Sequence, residues 1–436
     1  MANYIINGGR KLKGEITTNS AKNSAVAILC ATAMIKGKTT LKDVPRIEEV
    51  NRIIEILESI GIKIKWTDKN KLKIINNNNI NWKEINKDSF LKTRSALLLM
   101  GALTANFDSF DLPMAGGCQL GRRTVTPYLI ALDHLRIKVD IKKDIYHITK
   151  KKACGKEFTM YESGDTATEN TIMAAVTVPG TTKINFASSN YMVQDLCHFL
   201  NQAGAKIEGI GTHRLKITGV KNLKPVENYS IMPNPIESMA FISAAITTGS
   251  KLKINGCPID FLQLELEKLR VMGQKFKINP PYKSKSGNFN LVDIEIHPSK
   301  LKALPDKIYA RPYPGLNLDN LPLFLPILTQ AHGQTLVHDW AYENRAIYYT
   351  ELNRLGAKIA LDDIHRVTVT GPSKLKPTEM ICPPALRPAI TLLICMLAAK
   401  GQSVLRNSYA IDRGYENIYE RLNKIGADIK EISENN

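Results

Sequence analysis

The segment Ile47–Trp66, "IEEVNRIIEILESIGIKIKW", contains the pattern that decides the fold. Its first part places Val50, Ile53 and Leu57 at the spacing of one face of an amphipathic helix, and its last part alternates apolar and polar residues like a half-buried strand. Gly61 separates the two parts, and glycine suits the left-handed position that ends a helix. The segment therefore predicts a helix, a break and a strand.

The same pattern recurs along the chain at intervals of roughly 70 residues. The further copies read "YLIALDHLRIKVDI", "LCHFLNQAGAKIEGI", "LELEKLRVMGQKFKI", "YTELNRLGAKIAL" and "YERLNKIGADIKEI", and the six break residues are Gly61, Arg136, Gly204, Gly273, Gly356 and Gly426. Between the copies lie strand patterns such as "GTTKINFA" and "GQSVLRN" and buried-helix patterns such as "TRSALLLMGAL", "ESMAFISAAI", "LPLFLPILTQA" and "RPAITLLICML". Six matched units predict an α/β protein built by duplication, and 436 residues exceed one core, so we expect two domains of three units each.

Composition excludes several classes of protein. The chain is 44% hydrophobic and 23% charged, as in ordinary globular proteins, and its apolar runs are too short to span a membrane. Its start lacks the pattern of a secretory signal, and its seven cysteines form no CxxC pairs, so we expect a cytoplasmic protein without a disulfide framework. The net charge of +18 is spread along the chain, which favours small anionic substrates over nucleic acid.

Basic residues occur where the buried helices are predicted to begin. A cation there opposes the helix macrodipole, and the arrangement makes sense if an anion lies between the cation and the free N–H groups of the helix. The candidates at these and related positions are Lys22 with its neighbour Asn23, Arg94, Arg123, Arg345, Arg387 and Arg413. They predict a site for a negatively charged ligand; the alternative is that they are solvated side chains at loop tips.

Asp319 precedes an apolar segment in "PYPGLNLDNLPLF". It could cap a helix, or it could act as a carboxylate base beside the cationic residues. The eight histidines form no metal-ligand spacing, and no phosphate-binding loop or dinucleotide fingerprint occurs, so we expect neither metal, ATP nor NAD.

The stretch Met114–Arg123, "MAGGCQLGRR", sets Cys118 among glycines and arginines. Glycines permit close backbone approach to a ligand, and nearby cations favour a reactive thiolate. The alternative is a mobile surface turn in which the cysteine has no function.

Taken together, "SAKNSAVAIL", "GGCQLGRR", "TATEN", "YENR" and "AIDRGYENI" resemble the enolpyruvyl transferase family, and the resemblance extends along nearly the whole chain. It implies two inside-out α/β barrels, each of three repeats, with the active site between them. It also implies that residues 1–20 and 233–436 form one domain and residues 21–232 the other, which carries the Cys118 loop. By analogy alone, we expect a monomer.

The resemblance is specifically to the branch that moves the enolpyruvyl group of phosphoenolpyruvate to the 3-hydroxyl of UDP-N-acetylglucosamine. The resemblance implies that this reaction needs no cofactor. The resemblance assigns Cys118 to proton donation and product release and Asp319 to the base, with Asn23 holding the sugar. It places Lys22, Arg123 and Arg413 around the phosphate, with Arg94, Arg345 and Arg387 completing the cationic wall.

The acceptor side departs from the family pattern. Acids are usual at four positions that are here Asn190 and Met192 in "SSNYM", Asn234 in "MPNPIE" and Ala385 in "PPALRP". Glu237 is kept. Thr126 and Asp165 also differ from the family pattern. The loss of carboxylates makes the electrostatic potential around the acceptor more positive. Two alternatives therefore stay open: a paralogue that modifies another hydroxyl, such as that of UMP, and an inactive homologue that only binds ligands.

Overall fold

The computed structural model describes residues 2–116 and 124–433. The strands in this part of the chain are β1 (Ala2–Gly8), β2 (Glu15–Thr17), β3 (Gly37–Lys42), β4 (Lys63–Asp68), β5 (Lys71–Asn76), β6 (Ser109–Pro113), β7 (Ile137–Lys142), β8 (Ile145–Lys150), β9 (Glu157–Thr159), β10 (Thr181–Asn185), β11 (Lys206–Glu208), β12 (Arg214–Thr218), β13 (Tyr229–Ser230), β14 (Leu252–Pro258), β15 (Phe276–Ile278), β16 (Tyr282–Lys283), β17 (Asn290–Ile296), β18 (Ile308–Tyr309), β19 (Gly333–His338), β20 (Lys358–Asp363), β21 (Arg366–Gly371), β22 (Glu379–Ile381), β23 (Gly401–Arg406) and β24 (Ile429–Ser433).

Helices alternate with these strands. They are α1 (Lys22–Thr32), α2 (Glu48–Ser59), α3 (Lys87–Lys92), α4 (Leu99–Ala102), α5 (Thr126–His134), α6 (Asp165–Ala175), α7 (Tyr191–Gln202), α8 (Pro235–Thr247), α9 (Gln263–Val271), α10 (Phe324–Leu328), α11 (Leu386–Ala398), α12 (Tyr409–Asp412) and α13 (Ile418–Lys424). Short 3₁₀ segments cover Trp82–Glu84, Arg94–Leu98, Leu103–Ala105, Ile259–Phe261, Leu321–Leu323 and Ala346–Leu355.

Each predicted unit forms a small sheet with helices on one side. The clearest unit runs β9, α6, β10, α7, β11 and β12, and its sheet has the order β11-β12-β10-β9. β9 and β10 are parallel, whereas β12 is antiparallel to both β10 and β11. Within this unit, α7, Gly204 and β11 are the helix, break and strand that the sequence predicts.

The break residues confirm the predicted left-handed helix ends. The five glycines have φ values from 85° to 101°, and Arg136 adopts a φ of 60° in the same role. Because a side chain at this φ is strained, glycine is the preferred residue, and the arginine copy accepts that strain.

The buried helices form the centre and the sheets form the outside. Every residue of α8 is buried, and so are Ser24–Thr32 of α1, while strands such as β9 and β12 alternate buried and exposed residues. α1 packs against α4 and α7, and α8 packs against α10 and α11. This arrangement confirms the predicted inside-out α/β barrel.

The six sheets fall into two groups of three, according to the part of the chain that supplies their strands. The sheets β13-β3-β5-β4, β6-β8-β7 and β11-β12-β10-β9 use strands from residues 21–232, and the other three use strands on either side of that range. This pairing supports the predicted domain boundaries, which stay a prediction.

The chain passes between the two groups at residues 18–21 and 231–234. The two passages lie side by side: Ser20 forms an antiparallel bridge with Pro233, Ala21 N–H donates to the Met232 carbonyl at 2.8 Å, and Asn234 N–H donates to the Asn19 carbonyl at 2.8 Å. Arg421 anchors the pair, since it donates to the Thr17 carbonyl and to the Glu237 carboxylate.

Some predicted helices differ in form. "TRSALLLMGAL" folds as consecutive 3₁₀ and short α segments, and "LPLFLPILTQA" as the 3₁₀ turn Leu321–Leu323 followed by α10, where Pro322 and Pro326 remove N–H donors. The amphipathic helix of the fifth copy is the 3₁₀ segment Ala346–Leu355. Within residues 2–116 and 124–433, the helices are all too short or too polar to cross a membrane.

Candidate active site

A cavity of about 520 Å³ lies where helix starts and loops from both groups of sheets meet. The predicted site residues that line it are Lys22, Asn23, Arg94, Asp319, Arg345, Arg387 and Arg413. Cys118 and Arg123 lie outside the described residues. The structure therefore brings together seven side chains that are up to 391 positions apart in the sequence, and their individual roles stay predictions.

Lys22 is the first residue of α1, and the structure gives it a partner that the sequence did not suggest. Its Nζ lies 2.8 Å from Oε2 of Glu49, and Oε1 of Glu49 accepts hydrogen bonds from Ser95 at 2.8 Å and Thr93 at 3.1 Å. Burial by itself would raise the pKa of Glu49, but Lys22, Ser95 and Arg413 outweigh it and lower the pKa to about 2. Glu49 therefore stays ionised and holds Lys22 at the cavity wall.

Replacing Glu49 by glutamine is expected to lower the free energy of unfolding by about 3 kcal/mol at pH 7, because one pKa unit corresponds to about 1.4 kcal/mol. The lowered pKa stabilises the folded chain above pH 4.5, the pKa of an unperturbed glutamate, and this contribution is lost as the pH falls towards 2. Urea unfolding from pH 7 to pH 3 measures the difference, which should narrow with acidity. Glu84→Gln, a change at an exposed glutamate, is the matched control. A constant difference across this range would contradict the role given to Glu49.

Asp319 does not cap a helix. Its Oδ2 accepts a hydrogen bond from Arg387 Nη2 at 3.0 Å, and its Oδ1 lies 3.6 Å from Arg345 Nη1. Burial opposes ionisation, but Arg387, Arg345 and Lys22 lower the pKa of this carboxyl to about 2. A carboxylate with so low a pKa is a weak base, so the ligand itself must neutralise part of the surrounding positive charge before Asp319 can take a proton efficiently.

Arg345 and Arg387 differ in their surroundings. Arg345 is 1% exposed and donates to Asp339 at 2.6 and 2.9 Å and to the Leu318 carbonyl at 2.7 Å, so a second buried carboxylate already neutralises it. Arg387, near the start of α11, is bound to Asp319 and donates to the Tyr415 hydroxyl at 3.1 Å. Arg345 therefore supports Asp319, while Arg387 faces both Asp319 and the cavity.

Arg94 and Asn23 make hydrogen bonds at the cavity wall. Arg94 donates to the Thr124 carbonyl at 3.2 Å, and Asn23 Nδ2 lies 3.2 Å from the Tyr191 hydroxyl. Tyr191 also lines the cavity, next to Asn190 and Met192. Sequence reasoning missed Tyr191 because nothing in the chain around it distinguishes it from a core aromatic residue.

The four residues that replace acids on the acceptor side differ in whether they line the cavity. Asn190 and Met192 line the cavity, whereas Asn234 caps α8 by accepting from the Ile236 N–H at 3.0 Å, and Ala385 precedes α11 with 2% exposure. Glu237 is paired with Arg421 at 2.7 Å. Of the four positions that have lost an acid, only Asn190 and Met192 therefore belong to the described cavity wall.

Other acidic residues line the cavity in addition to Glu49 and Asp319. Glu162 lies on the segment that leads into α6, and Asp165 and Glu169 lie in the first two turns of that helix. The described wall thus carries both signs of charge, and the raised electrostatic potential on the acceptor side stays a prediction. Within the described residues, no three histidine, cysteine, aspartate or glutamate side chains cluster as metal ligands would.

Comparison with known proteins agrees with this architecture. The profile of the family described as EPSP synthase (3-phosphoshikimate 1-carboxyvinyltransferase) matches residues 6–422. The chain belongs to this family of enolpyruvyl transferases. It is 34% identical to the UDP-N-acetylglucosamine 1-carboxyvinyltransferase of Treponema denticola, with 99% of each chain covered, and 33% identical to that of Porphyromonas gingivalis, with 99% of this chain and 100% of the relative covered.

Solved structures of the family share the fold. The enolpyruvyl transferase NikO of Streptomyces tendae superposes with a TM-score of 0.85 at 23% identity, covering 99% of both chains. EPSP synthase from Acinetobacter baumannii superposes with a TM-score of 0.76 at 17% identity over the whole of both chains. The chain is therefore an enolpyruvyl transferase with the inside-out α/β barrel fold, as predicted.

Proposed function

We propose that this enolpyruvyl transferase moves the enolpyruvyl group of phosphoenolpyruvate to the 3-hydroxyl of UDP-N-acetylglucosamine and releases phosphate. The observation that carries the proposal is the cavity in which Lys22, Arg387 and Arg413 surround Asp319 and Glu49. Relatives named UDP-N-acetylglucosamine 1-carboxyvinyltransferase, at about a third identity over their full length, support this acceptor.

The donor carries a phosphate and a carboxylate, and the wall offers cations for both. Lys22 and Arg413, with Arg123 by family resemblance, would bind the phosphate, and Arg94, Arg345 and Arg387 would complete the cationic wall. Donor binding brings negative charge beside Arg387 and Lys22, so it weakens their effect on Asp319 and raises the pKa of that carboxyl. The donor thereby converts Asp319 from a weak base into a competent one.

The reaction then proceeds by addition and elimination. The acceptor oxygen, held with its sugar beside Asn23, forms a bond to C2 of phosphoenolpyruvate while Asp319 takes the hydroxyl proton. A proton adds to the methylene carbon, C3, in the step assigned by resemblance to Cys118. Loss of a proton from C3 restores the double bond as the C2–O bond to phosphate breaks, so the net products are the enolpyruvyl ether and inorganic phosphate.

Measuring the release of phosphate with different nucleotides tests which acceptor the enzyme uses. With phosphoenolpyruvate present, UDP-N-acetylglucosamine is expected to support release with kcat/KM at least about 100-fold above that of UMP, because each well-placed hydrogen bond that UMP cannot form contributes about tenfold or more. Mass spectrometry should find one enolpyruvyl group on the sugar nucleotide, and omitting the acceptor gives the background rate.

A second acceptor is favoured by a specific observation. Asn190 and Met192 stand in the cavity wall where the family pattern has acids, which fits a paralogue acting on another hydroxyl, such as that of UMP. Faster phosphate release with UMP would establish that alternative. Binding of nucleotides without any phosphate release would instead identify an inactive homologue.

A further inference from the structure

Two acids one helical turn apart face the cavity at the start of α6. Asp165 is the first residue of this helix and Glu169 is four residues further on, so both lie on the same face, and both line the cavity. Neither has a role in the reaction described above. A role for this pair in binding the acceptor rests on the proposed function, because the acceptor belongs to that reaction.

Glu169 is the unusual member of the pair. It is 3% exposed, and its Oε1 has no hydrogen-bond partner on any described residue. Asp165, by contrast, accepts hydrogen bonds from Ser188 Oγ at 2.6 Å and Asn190 Nδ2 at 3.0 Å. A buried oxygen without a partner destabilises the folded state, and a ligand that supplies the missing hydrogen bond recovers that free energy.

The groups around Glu169 favour its neutral form. Burial, and then the Asp165 carboxylate, raise its pKa well above the usual range of a glutamate. Cys30 of α1, Cys197 of α7 and Tyr128 of α5 also interact with Glu169, and burial raises their own pKa values. Arg94 interacts with Tyr128. A protonated Glu169 can both donate and accept a hydrogen bond, while an ionised Asp165 only accepts.

We infer that Asp165 and Glu169 together bind an amide or imide edge of the acceptor, O=C–N–H. The hydroxyl of protonated Glu169 donates to the carbonyl oxygen, and the Asp165 carboxylate accepts from the N–H. A phosphate does not fit this position, because it has no donor for Asp165 and its charge is repelled. Two parts of UDP-N-acetylglucosamine carry such an edge, the uracil ring and the acetamido group, whereas UMP and UDP-glucose carry only the uracil ring.

Calorimetric titration of the full chain with these nucleotides tests the inference. Asp165→Asn is expected to weaken acceptor affinity about tenfold, since a charged acceptor is replaced by a neutral one. Glu169→Gln keeps a hydrogen-bond donor, so its affinity should be retained. Glu169→Leu removes the donor and should weaken acceptor affinity about tenfold.

The comparison among nucleotides identifies the edge that is bound. If uracil lies at the pair, Asp165→Asn and Glu169→Leu weaken the binding of all three nucleotides. If the acetamido group lies there, they weaken the binding of UDP-N-acetylglucosamine only. Glu157→Gln, an exposed glutamate outside the cavity wall, is the matched control, and thermal unfolding checks that each variant is folded. Nucleotide binding that is unaffected by Asp165→Asn and by Glu169→Leu would overturn the inference alone. Failure of all three nucleotides to bind the wild type would overturn the proposed function with it.

Discussion

Replacing Asp319 by asparagine is expected to slow phosphate release from phosphoenolpyruvate about 1000-fold, within the range for loss of a general base. The carboxylate accepts from Arg387 at 3.0 Å and lies 3.6 Å from Arg345, and its substitution keeps the shape of the side chain while removing the atom that takes the hydroxyl proton. Steady-state phosphate release with the active acceptor measures the effect.

The matched control is Asp306→Asn, which changes an exposed aspartate of the preceding loop and should leave the rate unchanged. Calorimetric binding of phosphoenolpyruvate to Asp319→Asn should persist, since the cationic side chains remain, and this separates loss of chemistry from loss of folding. A variant that keeps more than about a tenth of the wild-type rate would exclude Asp319 as the base.

Replacing Arg345 by methionine is expected to lower the free energy of unfolding by about 3–5 kcal/mol, because it leaves a buried carboxylate without its counter-ion. Asp339 is fully buried and is held by Arg345 at 2.6 and 2.9 Å and by the Tyr349 hydroxyl. Urea unfolding at pH 7 gives the magnitude.

The double variant Arg345→Met/Asp339→Leu distinguishes a broken pair from lost packing. Removing both charges should recover much of the stability, since an apolar pair of similar volume avoids the cost of an unpaired charge. Arg366→Gln removes one partner of the exposed pair Arg366–Asp363 and should leave the unfolding temperature nearly unchanged. Equal unfolding temperatures for the single and double variants would refute this account of the buried pair.

The fold was predictable because periodicity and break residues are local properties of the chain. The pattern in Ile47–Trp66 became α2 and β4, and the break residues took positive φ as expected. The exceptions have local causes too: Pro322 and Pro326 shorten α10 by removing N–H donors. No comparable signal marked the fifth amphipathic copy as 3₁₀.

The site was predictable only in part, because the partners of its charged residues are distant in the sequence. Cations at helix starts identified Lys22, Arg94 and Arg387. Asp319 was also identified, but its contact with Arg387, 68 positions away, could not be predicted. Glu49, which lies 27 positions from its partner Lys22, was not found at all. The sequence showed Glu169 only as part of the "TATEN" motif. That this side chain is buried with an oxygen lacking a hydrogen-bond partner is a property of the folded chain.

The paired passages at residues 18–21 and 231–234 restrict how the two groups of sheets can move. Two hydrogen-bonded segments side by side bend as one ribbon, so sliding of one group past the other would have to break the ribbon, whereas rotation about it would not. Arg421 binds Thr17 and Glu237, which flank the ribbon, so the ribbon is attached firmly to one of the two groups. A change in access to the cavity would therefore be a change in the angle between the groups rather than a displacement of one past the other.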